Sequence, residues 1–332
     1  MDREPEELQF LGLIGIYKES LKIIFTCRRV FTKITLALIL PLTFIFLAHI
    51  QISELIFSKI IRNEVDLDST RSGTPSYYRL SDRISSEWTT FWLFKATYFL
   101  FFLIFSLLST SAIVYSVASI YTSKELTFKK VMTVVPKVWK RLMVTFLWNF
   151  IIVFFYNVVA GLFFILALIG IAPGTTRGVV LIGLLVLYFI GIVYISIVWH
   201  LASVISVLED LKGIQAMIKS EALIKGKKWI ASAIFVKLNL GFLFIQMAFE
   251  KSVVHGEELG MGNRVLYGMI CFFLLLKLFL FGLVVQSVFY FVCKSYHHES
   301  IDKSCLADHL EVYLGDYVPL TSKDVQLEQY HV

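Results

Sequence analysis

Six stretches of this sequence run almost without charge, at residues 34–52, 96–121, 143–171, 178–207, 230–249 and 265–292, each bounded by charged or turn-forming residues. A hydrocarbon core of about 30 Å is crossed by roughly 20 apolar helical residues, so each run is long enough to span a bilayer. Helices are expected rather than strands. Lipid-exposed backbone has no water to bond and must satisfy its own N–H and C=O groups, and none of the runs shows the alternation of a membrane barrel. Several runs exceed the minimum length, which predicts tilt. The pattern predicts an all-α, polytopic membrane protein of about six transmembrane helices. Residues 1–33 form a cytosolic N-terminus with an interfacial helix, residues 34–292 the membrane domain, and residues 293–332 a cytosolic tail. The 53–94 segment is expected as a long external loop, and Pro173-Gly174 as a tight turn between the third and fourth spans, because proline fixes φ and glycine permits a positive one.

Composition agrees with the pattern: 57% of the 332 residues are hydrophobic and 17% charged, against about a quarter charged in an ordinary soluble domain. The placement of Lys and Arg sets the orientation. Arg3, Lys18, Lys22, Arg28, Arg29 and Lys33 precede the first span. Lys124, Lys129, Lys130, Lys137, Lys140 and Arg141 separate the second from the third. Lys212, Lys219, Lys225, Lys227 and Lys228 separate the fourth from the fifth. These segments share one side, so both termini are expected in the cytosol. The 53–94 segment carries five bases, but six acids interleave with them and long loops constrain orientation less than short ones. Asp2, Glu4, Glu6 and Glu7 open the chain where a signal peptide would be basic, so the first span reads as an uncleaved anchor. Cys27, Cys293 and Cys305 fall on the cytosolic side and Cys271 inside the membrane, which predicts no external disulfide. The net charge of +6 comes from bases clustered beside spans, which points to anionic lipid and not to nucleic acid.

A basic amphipathic segment precedes each odd-numbered span, at residues 8–33, 126–141 and 211–228. In the third, Leu211, Ile214, Ile218 and Leu223 recur at helical spacing among Lys212, Lys219 and Lys225, the pattern of a helix lying among headgroups. The three segments lie about 110 and 90 residues apart, which suggests three repeats of an interfacial elbow and a two-helix hairpin; snorkelling anchors that converged independently would give the same spacing. Lys129, Lys130, Lys140, Arg141, Lys227 and Lys228 are the expected lipid-facing bases.

The elbow-and-hairpin plan, together with the passage from Leu208 through Glu209-Asp210-Leu211-Lys212-Gly213 to Gly226, resembles the membrane domain of some bacterial glycerophosphodiester phosphodiesterases, without any trace of their catalytic domain. The passages from Val288 to His298 and from Ala307 to Leu320 are similar to those of a plant family of uncharacterised multi-pass membrane proteins, to which the whole chain bears a likeness. That resemblance implies a six-span topology and no known activity.

Ionisable groups inside a membrane are costly enough to be functional candidates. Lys277 lies near the middle of the sixth run, too far from either end to snorkel, and no Asp or Glu lies within any of the six runs. His200, Asn149, Asn157, Asn239 and Gln246 are the other polar candidates for a shared pathway; the alternative is interhelical hydrogen bonding, worth about 0.6 to 2 kcal/mol each. Lys237 and Lys95 read as anchors. Trp88 and Trp92 mark one interface, Trp139 and Trp229 the other. Two Cys-x3-His pairs, Cys293/His297 and Cys305/His309, have the spacing of helical ligands but match no common zinc module, so no metal is expected; palmitoylation of Cys293 or Cys27 is the better reading. Tyr317-Val-Pro-Leu320 is similar to a tyrosine-based sorting signal.

No phosphate-binding loop, dinucleotide fingerprint, HExxH or nucleophile elbow occurs, and no cofactor is implied. The function expected is non-enzymatic: an integral membrane protein that organises lipids, or partner proteins at the cytosolic face. A carrier or channel using Lys277 and His200 is the alternative. A lipid-modifying enzyme is disfavoured for want of a nucleophile, metal set or acid–base pair.

Overall fold

The computed structural model describes residues 5–122, 126–256 and 260–298, and among these the chain is helical with no strand. Within them a short 3₁₀ turn at Pro5–Phe10 leads into nine α-helices: α1 Leu13–Thr26, α2 Arg28–Ile34, α3 Leu40–Ser69, α4 Pro75–Tyr121, α5 Phe128–Gly170, α6 Thr175–Leu208, α7 Ile214–Ile224, α8 Lys228–Phe249 and α9 Met261–Tyr296. Two π-helical turns interrupt this series, Thr35–Ile39 between α2 and α3 and Glu250–Val254 at the end of α8. Among the described residues six helical segments are long and apolar enough to cross a membrane, in agreement with the six charge-free runs.

Two expectations change. The 53–94 segment is not an irregular loop: α3 and α4 run through it as a helical hairpin, turning at residues 70–74. Most of its charges are carried by Glu, Lys and Arg, which are good helix formers, and its Gly and Pro are confined to Gly73 and Pro75 at the turn. The three elbows also differ. Separate helices α1 and α7 precede the first and fifth spans, but the second elbow is the opening of α5, which continues through Pro136 into the span.

The described residues form two compact units. The first holds those of Met1–Phe31, Thr110–Val236 and Leu283–Val332. Its core takes Ile16 and Ile23 from α1, Ile113 and Val117 from α4, Val134 and Val138 from α5, Ile205 and Leu208 from α6, Leu223 from α7 and Val288 from α9, all essentially inaccessible. Beyond this core the α5–α6 hairpin is largely exposed, as Phe154, Phe155, Leu162, Ile182 and Phe189 show.

The second unit is Thr32–Ser109 with Lys237–Gly282. Leu47, Phe249, Cys271 and Leu275 form its centre. Phe46, Phe242 and Phe279 pack beside them, with ring centroids 4.8 to 6.5 Å apart. Towards the hairpin turn the helices are tied by polar pairs: Asn63 donates to Glu87 at 2.6 Å, Lys59 pairs with the same carboxylate at 3.1 Å, and the Trp88 indole donates to Glu64 at 3.1 Å.

Candidate functional site

The third elbow is where the first unit concentrates its polar groups. Its helix α7 is short because glycine brackets it. Gly213 takes φ 62°, and a Cβ there would lie 2.6 Å from the Trp148 ring; Gly226 takes φ 92° against the Tyr296 ring. Glycine adopts both conformations without the penalty other residues incur, so the chain turns sharply into and out of α7. The Gly213 N–H donates to Thr145 Oγ1 at 2.8 Å, and that hydroxyl sits 2.6 Å from Ser206 Oγ, joining α5, α6 and the elbow. Ser220 Oγ, fully buried on α7, donates to the Val198 carbonyl at 2.7 Å.

Glu209, at the end of α6, accepts from Tyr290 Oη at 2.5 Å and from Lys294 Nζ at 3.3 Å. The Arg141 guanidinium donates to the Glu209 carbonyl at 2.9 Å and to Asp210 Oδ1 at 2.8 Å. The His297 ring lies 2.9 Å from the Lys225 carbonyl and 3.1 Å from that of Leu223, closing the far side of the elbow. These bonds connect four separate helices through one carboxylate and a few hydroxyls. A half-buried charge with this many donors is held in place and not left to sample solvent.

Among the expected lipid-facing bases, Lys129, Lys130, Lys140 and Lys228 are exposed. Arg141 turns inward to the α6 terminus, and Lys227 donates to the Gln9 carbonyl at 2.9 Å and lies over the Tyr296 ring. Both bases cap carbonyls that a helix end leaves without partners.

The polar intramembrane candidates divide between the units. In the first, His200 and Gln286 bond reciprocally: the Gln286 amide donates to the His200 carbonyl, and its oxygen is 3.4 Å from His200 Nδ1. Asn157 donates to the Val153 carbonyl at 2.7 Å and accepts from Tyr188 at 3.0 Å, tying α5 to α6. Asn149 Oδ1 is buried with no partner among the described residues. In the second unit, Lys277 and Asn239 are exposed on α9 and α8, and Gln246 donates to Glu250 at 3.0 Å. Lys95 Nζ is 2.9 Å from His49 Nε2, and the His49 ring stacks on Tyr98 at 3.6 Å.

Cys293 is completely buried, which removes it as an acylation site; Cys27 is partly accessible at the junction of α1 and α2, where burial pushes its thiol above the usual range. Among the described residues no group of His, Cys, Asp and Glu could hold a metal ion. Tyr317, Leu320, Cys305 and His309 lie outside the described residues.

One family model, described as a domain of unknown function (DUF8558), matches residues 1–330. The chain belongs to that family. No curated protein and no solved structure matches it.

Sequence reasoning missed Gln286, Glu209, Tyr290 and His49 as members of polar pairs. Gln286 and His49 were open to discovery by the rule that selected His200, since each is a lone polar residue in an apolar run. Glu209 had no such signal, because a carboxylate just past a span reads as ordinary solvated charge.

Proposed function

We propose that the protein is a non-enzymatic organiser of membrane lipid, with both termini cytosolic and its basic elbows resting in the cytosolic leaflet. The observation that carries this reading is the inverted polarity of α1. That helix buries Glu19 and Ser20 beside Ile16 and Ile23, and leaves Ile14 80%, Phe25 71% and Leu21 45% exposed. At 3.6 residues per turn the three exposed apolar residues share one side, and the exposed bases Lys18 and Lys22 border it along one edge. Water is a poor neighbour for that face. An apolar stripe edged by lysines matches a helix sunk to the acyl boundary with its ammonium groups among lipid phosphates.

The other elbows support the same reading. Trp229 is 86% and Ile218 62% exposed, next to Lys228 and Lys219, and the start of α5 exposes Lys129, Lys130, Lys137 and Lys140. Each base near an anionic surface contributes about 1 kcal/mol of attraction. The buried polar lock around Glu209 fixes how the third elbow is presented.

The test is lipid selectivity of the full chain in nanodiscs containing phosphatidylserine and phosphatidylcholine. Replacing Lys18, Lys22, Lys129, Lys130, Lys140 and Lys228 by Gln should abolish enrichment of phosphatidylserine in the co-purified lipid. Enrichment that persists at the level of the unaltered protein would overturn the reading.

A further inference from the structure

The second unit contains a cleft of about 490 Å³ between α3, the π turn that ends α8 and the first turns of α9. The volume is that of an ordinary small-ligand site. Its walls are mostly apolar and differ from end to end. Phe44, Leu47 and Ala48 on α3 face Gly268, Met269 and Phe272 on α9, whereas Gln51 and Arg264 line the cleft further along the same two helices. The helices run in opposite directions: Phe46 meets Phe279 at 6.5 Å, and Leu47 packs in one cluster with Cys271 and Leu275. Moving from Phe44 to Gln51 on α3 and from Phe272 back to Arg264 on α9 is therefore movement in one direction, from an apolar floor to a polar mouth.

The π turn builds that mouth. By lengthening the last turn of α8 it frees the Val253 carbonyl, which receives both Nε and Nη2 of Arg264, at 3.1 and 2.6 Å. Those bonds fix the guanidinium at the cleft edge, and its other N–H groups have no partner among the described residues. No described carboxylate pairs with it. Glu54, the nearest acid along α3 past Gln51, is instead 3.6 Å from His255 Nε2. The Gln51 carboxamide oxygen is buried without a hydrogen-bond partner, so the mouth holds unspent polar capacity on both walls. Gly268 keeps the wall low, since a side chain there would fill the space in front of Val253.

A fixed guanidinium, paired with no carboxylate among the described residues, at the edge of an open apolar cleft complements a molecule with an anionic oxygen cluster on an aliphatic chain. We infer that the cleft is a phospholipid-binding site: one acyl chain lies between Phe44, Ala48, Met269 and Phe272, and the phosphate sits on Arg264. Arg suits this role because its planar fork offers paired N–H groups to phosphate oxygens while two others stay on the Val253 carbonyl. The site is independent of the basic elbows, as it recognises one lipid by shape and a single charge and not a surface by its potential.

The experiment is native mass spectrometry of the full-length protein after stepwise delipidation in detergent, with phosphatidylcholine as the probe. This lipid has phosphate but no net charge, so the elbows do not select it. The unaltered protein should retain one phosphatidylcholine after the other bound lipids are gone. Ala48→Phe with Gly268→Leu, which fills the slot and leaves Arg264 untouched, should lose it, and Arg264→Gln should lower occupancy at least five-fold, with Arg264→Lys intermediate. The elbow-neutralised protein should keep it. Progressive loss with no retained molecule, or retention unchanged in the slot-filled protein, would mean that only annular lipid is present and would overturn the site; neither result bears on phosphatidylserine enrichment at the elbows.

Discussion

The two units solve the same packing problem with different materials. The first closes its elbow with directed bonds: Thr145, Ser206, Ser220, Tyr290 and Glu209 each reach a specific partner on another helix. The second confines its polar pairs to the hairpin and the helix ends, packs its centre with Phe46, Phe242 and Phe279, and leaves a cleft beside them. In lipid the hydrophobic effect does not drive helices together, so shape and hydrogen bonds must. A hydrogen-bonded junction excludes guests because a misplaced donor is costly, whereas an aromatic wall accepts any apolar chain that fits. The first unit is thereby suited to holding a geometry and the second to admitting a ligand.

The contrast is sharpest at glycine. Gly213→Val should destabilise the protein by about 3 kcal/mol, because a branched residue is strained at positive φ and its side chain collides with Trp148. Gly268→Ala should be nearly silent, as its new Cβ would meet only Val253 Cγ2 at an ordinary 3.7 Å. Fluorescence-monitored thermal unfolding in detergent would compare the two. Equal losses would erase the distinction between a closed junction and an open one.

A smaller effect is expected from the carboxylates. Glu209→Ala leaves Tyr290 and Lys294 without their acceptor and should cost about 1–3 kcal/mol. Glu87→Ala removes the acceptor of the Asn63 amide and a pairing with the exposed Lys59, of which the second contributes little, and should cost about 1 kcal/mol. The same unfolding assay reads both. The coupling between His200 and Gln286 is also small: a double-mutant cycle with His200→Phe and Gln286→Leu should give about 0.6–1.7 kcal/mol. A value near zero would make the pair a by-product of packing.

The six spans were legible because a run of roughly 20 apolar residues without a charge is stable in lipid and in few other surroundings. The ends of the helices were not. Residues 53–69 carry enough charge to look like a loop, yet they continue α3, because helix is also the preferred state of Glu, Lys, Arg and Leu outside lipid. The middle elbow looked like its counterparts in base content, but nothing at its junction with the span resembles Gly213 or Gly226, and α5 passes straight through. At the candidate sites, residue type was readable and direction was not. Arg141 and Lys130 are alike in the sequence, and only the nearness of the α6 terminus turns Arg141 inward. Lys277 stood out as a cation far from either end of its span, but which side of α9 it occupies depends on helix phase, which an apolar run does not encode.

The helical continuation of α3 has a mechanical side. Thirty residues at 1.5 Å each make a rod of about 45 Å, longer than the hydrocarbon layer by about 15 Å. Its outer part is braced against α4 by the Asn63, Glu64 and Lys59 pairs, so the projecting arm is stiff where a loop would be slack. Gln51 and Ala48, on the wall of the cleft, stand at the root of this arm. A sideways load on the turn near Gly73 is therefore carried along the stiff arm to that root and is not absorbed on the way.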